Sequence, residues 1–279
     1  MKKTLIALAL ATTSVSGSAI AGLGGFDAGN TNNTVEFGGT ITPQAATKWV
    51  WAVGQGYNNF SHTTNDLTDS GKTLTVTAGE NMSLLVGKTT AAFVGGPGLS
   101  PQIAFSDSKG SISPVWGSDN AEGTITLTVN DTNQQEIGTM TLNIKAFAPF
   151  AWGKINAARP SVSLRYMNNS DGAFKGSTGV FGTAPNFATV NAILNAFGAP
   201  TLQYLQNQVS SDLGFDYTAD DTSDAVGASD DSYACSGCVY AGAYALGIPN
   251  REILKVNFKS PITTETQWTA PLKMQISYN

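Results

Sequence analysis

The sequence predicts a mainly β protein: an immunoglobulin-like sandwich that carries an inserted helical hairpin. Short alternations of apolar and polar residues recur along the chain. Of its 279 residues 30 are glycine and only 13% are charged, which is typical of many short strands joined by turns. In one central stretch the apolar spacing becomes helical. A lone strand pattern also stands near each end of the chain.

The first 21 residues predict a secretory signal peptide. Lys2 and Lys3 form a basic start, residues 5–11 an apolar run, and residues 19–21 an A-x-A cleavage site. The apolar run is much shorter than the roughly 20 residues that a membrane-spanning helix needs. We therefore expect the mature chain to begin at Gly22 and to be exported.

Residues 22–42 predict an N-terminal extension that contains one strand. Val35, Phe37 and Ile41 lie on the same face of this strand, because successive side chains point to opposite sides. The extension stands apart from the strands that follow, so it is free to pair with another chain.

Strands are predicted through the first half of the chain and again near its end. Residues 130–133 are turn formers between two alternating runs and predict a hairpin. Trp49 and Trp51 offer a possible sugar platform, but beside other alternating apolar residues we expect them in the core. The alternating sets are Trp49, Trp51, Val53; Leu74, Val76; Ile103, Phe105; Ile125, Leu127, Val129; Met140, Leu142, Ile144; and Leu254, Val256, Phe258.

Two amphipathic helices interrupt this pattern. After Pro185 the apolar residues follow helical spacing up to Gly198, which supplies a C-terminal stop. Thr201 can then cap a second helix that ends at Gly214. The apolar positions are Val190, Ile193, Leu194 and Phe197 in the first helix, and Leu202, Leu205, Val209 and Leu213 in the second. This hairpin is either a recognition element or a lid over the side of the sandwich.

Cys235 and Cys238 form a C-x-x-C pair. In an exported protein this spacing favours a local disulfide over a redox or metal site. A zinc site would need about four ligands, and His62 is far away in sequence. The acidic run from Asp216 to Asp231 does not match a calcium-binding loop. The sequence therefore predicts no metal and no cofactor.

The last strand pattern runs to the end of the chain. Leu272, Met274, Ile276 and Tyr278 alternate with polar residues and share one face. No segment follows to pair with the outer edge of this strand. A chain with a spare strand at its start and an unfilled edge at its end can pair head to tail with its own copies, unless both segments are ordinary strands of one complete sandwich.

Charge and motifs restrict the function. Without Lys2 and Lys3 the chain has 13 basic and 20 acidic residues, a net charge of −7, so it is a poor nucleic-acid binder. No G-x-S-x-G occurs after residue 21 and no H-E-x-x-H occurs anywhere, so an enzyme is not expected. Two alternatives stay open: a secreted carbohydrate-active β-sandwich enzyme, whose paired carboxylates need not be adjacent, and an outer-membrane β-barrel.

Six stretches carry a resemblance to a known family. They are VEFGGTI (35–41), KWVWAVG (48–54), NDLT (65–68), PQIAFSD (101–107), AYALGI (243–248) and TTETQWTAPLKMQISY (263–278). Together they resemble FaeG-type major fimbrial subunits, the chaperone–usher pilins of enterotoxigenic bacteria that serve as both shaft subunit and adhesin.

The resemblance implies an incomplete immunoglobulin-like domain over residues 43–279. It implies that a periplasmic PapD-like chaperone lends a strand to the open groove, and that the extension of the next copy replaces it at the outer-membrane usher. This donor-strand complementation is a case of strand addition to a sheet edge. Val35, Phe37 and Ile41 would be the donor residues, and the C-terminal strand would be the acceptor and chaperone edge. The product would be a fimbria on the bacterial surface that binds host glycoconjugates.

The resemblance also places receptor binding in an insertion at about 147–240. Sugar binding needs an aromatic face together with fixed polar groups. Phe150, Trp152 and Lys154 share one face at period two, while Arg165 and Tyr166 lie on a second strand-like stretch. These five residues are the predicted carbohydrate site. The alternative for each aromatic residue is packing against the two helices.

Overall fold

The computed structural model describes residues 48–215 and 225–279. The predicted signal peptide and the predicted donor residues Val35, Phe37 and Ile41 lie outside these ranges. Within them, no helix is both long enough and apolar enough to cross a membrane.

The described residues form sixteen strands and two α-helices. The strands are β1 Trp49–Val53, β2 Leu67–Thr68, β3 Thr73–Thr77, β4 Met82–Thr89, β5 Phe93–Val94, β6 Pro101–Ser106, β7 Ser111–Ile112, β8 Val115–Trp116, β9 Glu122–Asn130, β10 Glu136–Phe147, β11 Pro149–Lys154, β12 Ser163–Met167, β13 Gly227–Ser229, β14 Cys238–Ile248, β15 Ile253–Phe258 and β16 Lys273–Tyr278. The helices are α1 Phe187–Ala196 and α2 Leu202–Asp212.

Two long strands organise the larger of the two sheets. Strand β10 pairs antiparallel with β9 on one side and with β15 and β14 on the other. Strand β14 pairs in addition with β4, β5 and β11. The smaller sheet has the order β16-β6-β7. Its residues Ile103 and Phe105 belong to the same hydrophobic core as the inward-facing residues of the larger sheet. The chain is thus mainly β with two helices, which fits a β-sandwich with a helical insert.

Local sequence explains the elements that were predicted. The β9–β10 hairpin forms as expected, and Asp131 Oδ1 accepts bonds from the backbone N–H groups of Asn133 (2.9 Å) and Gln135 (2.8 Å) in its loop. Thr201 caps α2 by accepting a hydrogen bond from the Tyr204 N–H at 3.3 Å. Gly198 ends α1 with a φ of 74°, a left-handed conformation that suits glycine.

The helical hairpin packs on the outer face of β14. Side chains on this strand alternate between two hydrophobic clusters: Tyr240 and Tyr244 face the sandwich core, whereas Ala241 and Ala243 face the helices. The small side chains on the outer face allow the helices to approach closely. At Gly247 even a Cβ atom would overlap the ring of Phe197, so glycine is required there.

Aromatic residues fill the sandwich core, as the sequence predicted for the tryptophans. Trp49 is 2% exposed and stacks on Trp51, with ring centroids 5.6 Å apart. Trp51 is half-buried and also contacts Phe174 and Tyr244. Neither tryptophan forms an open sugar platform.

The predicted disulfide is confirmed, because Cys235 and Cys238 are bonded to each other. The short ring stands at the start of β14 and is tied to its surroundings through the backbone. The Ile155 N–H donates to the Gly237 oxygen at 2.9 Å, and the Gly95 N–H donates to the Cys238 oxygen at 3.0 Å. The disulfide therefore fixes a corner where three segments of the larger sheet meet.

Candidate functional site

Two strands of different sheets each present an edge without a neighbour. Among residues 48–215 and 225–279, β1 pairs only with β4, and β16 pairs only with β6. An unpaired strand edge exposes a row of backbone N–H and C=O groups that can pair with another strand. The sequence predicted an unfilled edge only for the C-terminal strand, β16, and not for β1.

An open groove lies between β1 and β16. It encloses a cavity of about 680 Å³ and is bordered by Val53 of β1 and Met274 of β16. Its lining is largely apolar and comes from both sheets and from the segment before β16. The principal apolar lining residues are Val53, Tyr57, Phe60, Met82, Leu84, Leu127, Met140, Leu142, Ile248, Leu254, Trp268, Leu272 and Met274.

Apolar side chains on the two strands that border this groove are less buried than core residues should be. Val53 is two residues after Trp51 on the same face of β1, yet it is 60% exposed. On β16, Met274, Ile276 and Tyr278 alternate with exposed polar residues but are only half-buried. The sandwich is therefore incompletely closed along this seam, since no strand covers these apolar groups in the described residues.

The predicted acceptor residues lie together as expected from their alternation. Met274 pairs with Phe105, Ile276 with Ile103, and Tyr278 with Pro101. Leu272 precedes β16 instead of lying within it, but it lines the groove and packs against the core. Their role as acceptor or chaperone edge stays a prediction.

At one end of the groove a hydrogen bond joins the two edges. Trp51 Nε1 donates to the Tyr278 hydroxyl at 3.0 Å. Burial raises the pKa of Tyr278 above its usual value, and this effect exceeds the opposing effect of the hydrogen bond. The hydroxyl therefore stays neutral at physiological pH and holds the C-terminal strand against β1.

Two aromatic rings and a pair of backbone bonds border the groove elsewhere. Phe60 and Trp268 stack in parallel, with ring centroids 6.4 Å apart. Next to Trp268, Thr269 and Asn130 exchange two backbone hydrogen bonds of 2.9 Å. The Asn130–Thr269 pair therefore holds the segment that leads into β16 in place beside the groove.

The sequence did not identify most of these groove residues. Val53 and Leu127 were expected as ordinary strand positions, and Leu84 was not singled out. Phe60 and Trp268 lie in loops far apart in sequence. The only sequence signal for the groove was the pair of terminal strands, because an open groove is a property of the assembled sheets.

Two residues of the predicted carbohydrate site are core residues. Phe150 has no exposed surface and packs against Tyr233 and Tyr240. Tyr166 is also buried, on the opposite face, where its ring lies 4.9 Å from that of Phe147. A sugar cannot reach either ring in this structure, so the prediction of sugar contact is wrong for these two residues.

The other three residues of that site are accessible. Trp152 is half-buried, whereas Lys154 and Arg165 are exposed. Arg165 lies directly across from Phe150 in the β11–β12 pair, which places it on the same face as Trp152. Its guanidinium donates to the Leu164 oxygen at 3.0 Å. One partly exposed ring and two cations therefore remain as a possible sugar-contact surface.

Comparison with known proteins assigns the chain to a family. A family model described as fimbrial major and minor subunits matches residues 1–279. The K88 fimbrial protein AB of Escherichia coli is 32% identical over 293 residues, and the K88 fimbrial protein AC of the same organism is 31% identical over 291 residues. The F41 fimbrial protein of Escherichia coli is 28% identical over 291 residues. Each of these alignments covers 100% of both chains. The chain therefore belongs to the family of K88-type fimbrial subunits.

Proposed function

We propose that this chain polymerises by donor-strand exchange and that it also acts as an adhesin for host glycoconjugates. Family membership supplies the coarser function: the chain is a structural subunit of surface fimbriae and not an enzyme. Subunits of this family assemble with their own copies, and surface assembly implies export. The proposal adds the mechanism of assembly and a binding activity.

One observation carries the assembly mechanism: an apolar groove opens between two strand edges that are both unpaired in the described residues. A strand that enters the groove forms backbone hydrogen bonds, each worth about 0.5–1.5 kcal/mol net. It also covers the half-exposed side chains of Val53 and Met274, which adds roughly 25 cal/mol per Å² of apolar surface. The alternation of Val35, Phe37 and Ile41 suits such a groove, because side chains at period two enter it from one face.

The same groove supports a role for partner proteins before assembly. A subunit with an open apolar seam would aggregate or be degraded in the periplasm. We propose that a periplasmic PapD-like chaperone covers the groove and that an outer-membrane usher exchanges the chaperone strand for the extension of the next copy. The signal peptide at residues 1–21 would direct the chain along this route.

The adhesin role is proposed to involve the accessible part of the insertion at about 147–240. Trp152 offers a partly exposed ring, and Lys154 and Arg165 offer hydrogen-bond donors on neighbouring strands. A ring next to polar donors is the combination that sugars require.

Replacement of Trp152 by alanine tests this surface. We expect Trp152→Ala to abolish binding of fimbriae to host glycoconjugates while fibres still form, measured by glycan capture and electron microscopy. Tyr204→Ala is the matched control, because Tyr204 is an exposed aromatic residue on α2 outside the predicted surface. Loss of the fibres would show that Trp152 acts through packing. Unchanged binding would place the receptor site elsewhere.

A further inference from the structure

A segment of the proposed insertion, residues 168–177, reaches one end of the groove between β1 and β16. It lies between β12 and α1 and carries Phe174, whose side chain has no exposed surface. The ring of Phe174 stacks on Tyr244 at a centroid distance of 5.0 Å. It also contacts Trp49 and Trp51 of β1 edge-on, at 5.5 Å and 6.3 Å. A ring from the insertion thus supports one of the two strands that border the groove.

The backbone of the same residue is attached to the sheet that contains the other strand. The Phe174 N–H donates to the Pro101 oxygen at 2.7 Å, and Pro101 of β6 pairs with Tyr278 of β16. In the same segment, the Gly172 oxygen accepts a hydrogen bond from the Gln102 side chain at 2.9 Å. Phe174 therefore contacts β1 through its ring and the strand partner of β16 through its backbone.

These contacts form a closed circuit around the end of the groove. Phe174 is bonded to Pro101, and Pro101 is paired with Tyr278. Tyr278 in turn accepts the hydrogen bond of Trp51, whose ring contacts that of Phe174. The Trp51–Tyr278 bond joins the tips of two long side chains, so it connects the strands while their backbones stay apart. We call these two side chains the spacer pair.

The groove needs such spacing, because its two edges could otherwise pair with each other. Trp51 lies beside Tyr278. Further along β1, Val53 borders the same groove as Met274, which stands earlier in β16. The two strands therefore run in opposite directions, and their free N–H and C=O groups could form an antiparallel ladder. Such a ladder would bring the backbones to about 4.8 Å and leave no room for a third strand.

Phe174 is held in its place by an unfavourable backbone conformation. Its φ is 60°, a left-handed value that is rare for a bulky residue. The backbone N–H and the hydroxyl of Ser177 both donate to the Phe174 oxygen, at 2.9 Å and 2.8 Å. The Tyr244 hydroxyl donates to the Ser177 oxygen at 2.8 Å. Strain of this kind persists only where the surroundings enforce it, and it concentrates at sites that position other groups.

We propose that Phe174 is a positioning residue for strand addition: it supports the spacer pair and so keeps β1 and β16 one strand-width apart. Without its ring the Trp51 indole loses a supporting contact, and the two edges can close on each other. This inference rests on the donor-strand assembly proposed above, and it assigns the insertion a part in that assembly.

Removal of the ring tests the proposal. Phe174→Ala deletes the ring, and Phe174→Leu is a graded variant that keeps a smaller apolar side chain. Phe187→Ala is the matched control, because Phe187 is a buried ring of α1 in a cluster to which, among the described residues, neither β1 nor β16 contributes. Both alanine variants should lower thermal stability by similar amounts, so stability alone will not account for a difference between them.

A pair of cysteines reports the spacing of the two edges. Val53→Cys and Met274→Cys lie at the borders of the groove, and a Phe37→Asp background is used to keep the chain's own extension out of it. Edges with room for a third strand lie roughly 9–10 Å apart, twice the spacing of paired strands. A disulfide, in contrast, needs Cα atoms within about 7 Å. The subunits would be oxidised in periplasmic extracts of protease-deficient cells without the chaperone, and intramolecular cross-links would be measured by mass spectrometry.

We expect little cross-linking in the parent and in Phe187→Ala, and at least about tenfold more in Phe174→Ala. Phe174→Leu should lie between them. High cross-linking in the parent would overturn the proposal, and so would an equal rise in Phe187→Ala. If Phe174→Ala yields too little folded subunit, Phe174→Leu decides: cross-linking no higher than in the parent would overturn the proposal.

Failure of donor-strand exchange itself would look different. Subunits that carry Phe37→Asp without the added cysteines would then assemble into normal fibres, whatever the spacing of the two edges.

Discussion

Deletion of residues 22–41 is expected to abolish fibre formation while leaving chaperone binding intact. The groove between β1 and β16 is built from residues after 48, so the shortened subunit keeps every lining group that the structure describes. It loses the segment that we propose to fill the groove of the next copy. Co-purification with the chaperone and electron microscopy of cells would measure the two effects. Normal fibres made from the shortened subunit would contradict the donor-strand assignment.

The substitution Phe37→Asp keeps the predicted donor strand but disrupts its apolar face, so it tests the apolar face by itself. Phe37→Asp would bring a carboxylate into an apolar groove, which costs several kcal/mol or forces its protonation. Glu36→Gln is the control, because Glu36 points to the opposite side of the predicted strand. We expect only Phe37→Asp to block or weaken polymerisation, with export of the monomer unchanged in both variants.

Loss of the C-terminal face should have the second large effect. The double variant Ile276→Ala, Tyr278→Ala removes two side chains that pack against the core, and it leaves the Trp51 indole N–H without its acceptor. Full burial of such a side chain is worth about 1.5–3 kcal/mol, and strand addition would complete the burial of both. We therefore expect too little subunit to survive in the periplasm for assembly, measured by immunoblotting of periplasmic extracts over time.

The alternating pattern supplies the control for this variant. Ser277 lies between the two positions and is exposed, so Ser277→Ala should leave subunit levels unchanged. Stable accumulation of the double variant as a monomer in cells without the chaperone would mean that the sandwich needs no added strand.

Elements whose limits depend on local chemistry were predictable from the sequence. Asn186 and Thr201 cap the two helices, and Gly198 ends the first one, because each forms or permits contacts within a few residues. The alternation from Met274 to Tyr278 likewise gave the strand and its inner face. The disulfide followed from a spacing of three residues and an oxidising compartment.

The carbohydrate site was only partly predictable, for a reason that β11 illustrates. Alternation places Phe150 and Trp152 on one face and Ala151 on the other, but it does not say what covers each face. In the structure the sandwich core covers Phe150, and the helical hairpin covers Ala151. Both faces of the strand are buried over most of its length, so an aromatic residue there is ordinary core. Only the C-terminal part of the strand reaches solvent, partly at Trp152 and fully at Lys154.

The groove between β1 and β16 was not predictable, because it joins residues that are distant in sequence. Val53, Leu127 and Met274 meet only after two sheets have packed together. Such juxtapositions depend on sheet order, which periodicity does not encode.

Cysteine cross-linking in assembled fimbriae tests the central claim most directly. Phe37→Cys would be combined in turn with Val53→Cys, Leu84→Cys or Met274→Cys, three positions around the groove. If one subunit inserts its extension into the next, at least one pair will form intermolecular disulfides and give a ladder of covalent multimers on a non-reducing gel. Glu36→Cys with the same partners should give no ladder. Fibres in which no Phe37→Cys pair cross-links between subunits, or in which cross-links form only within one chain, would contradict assembly through this groove.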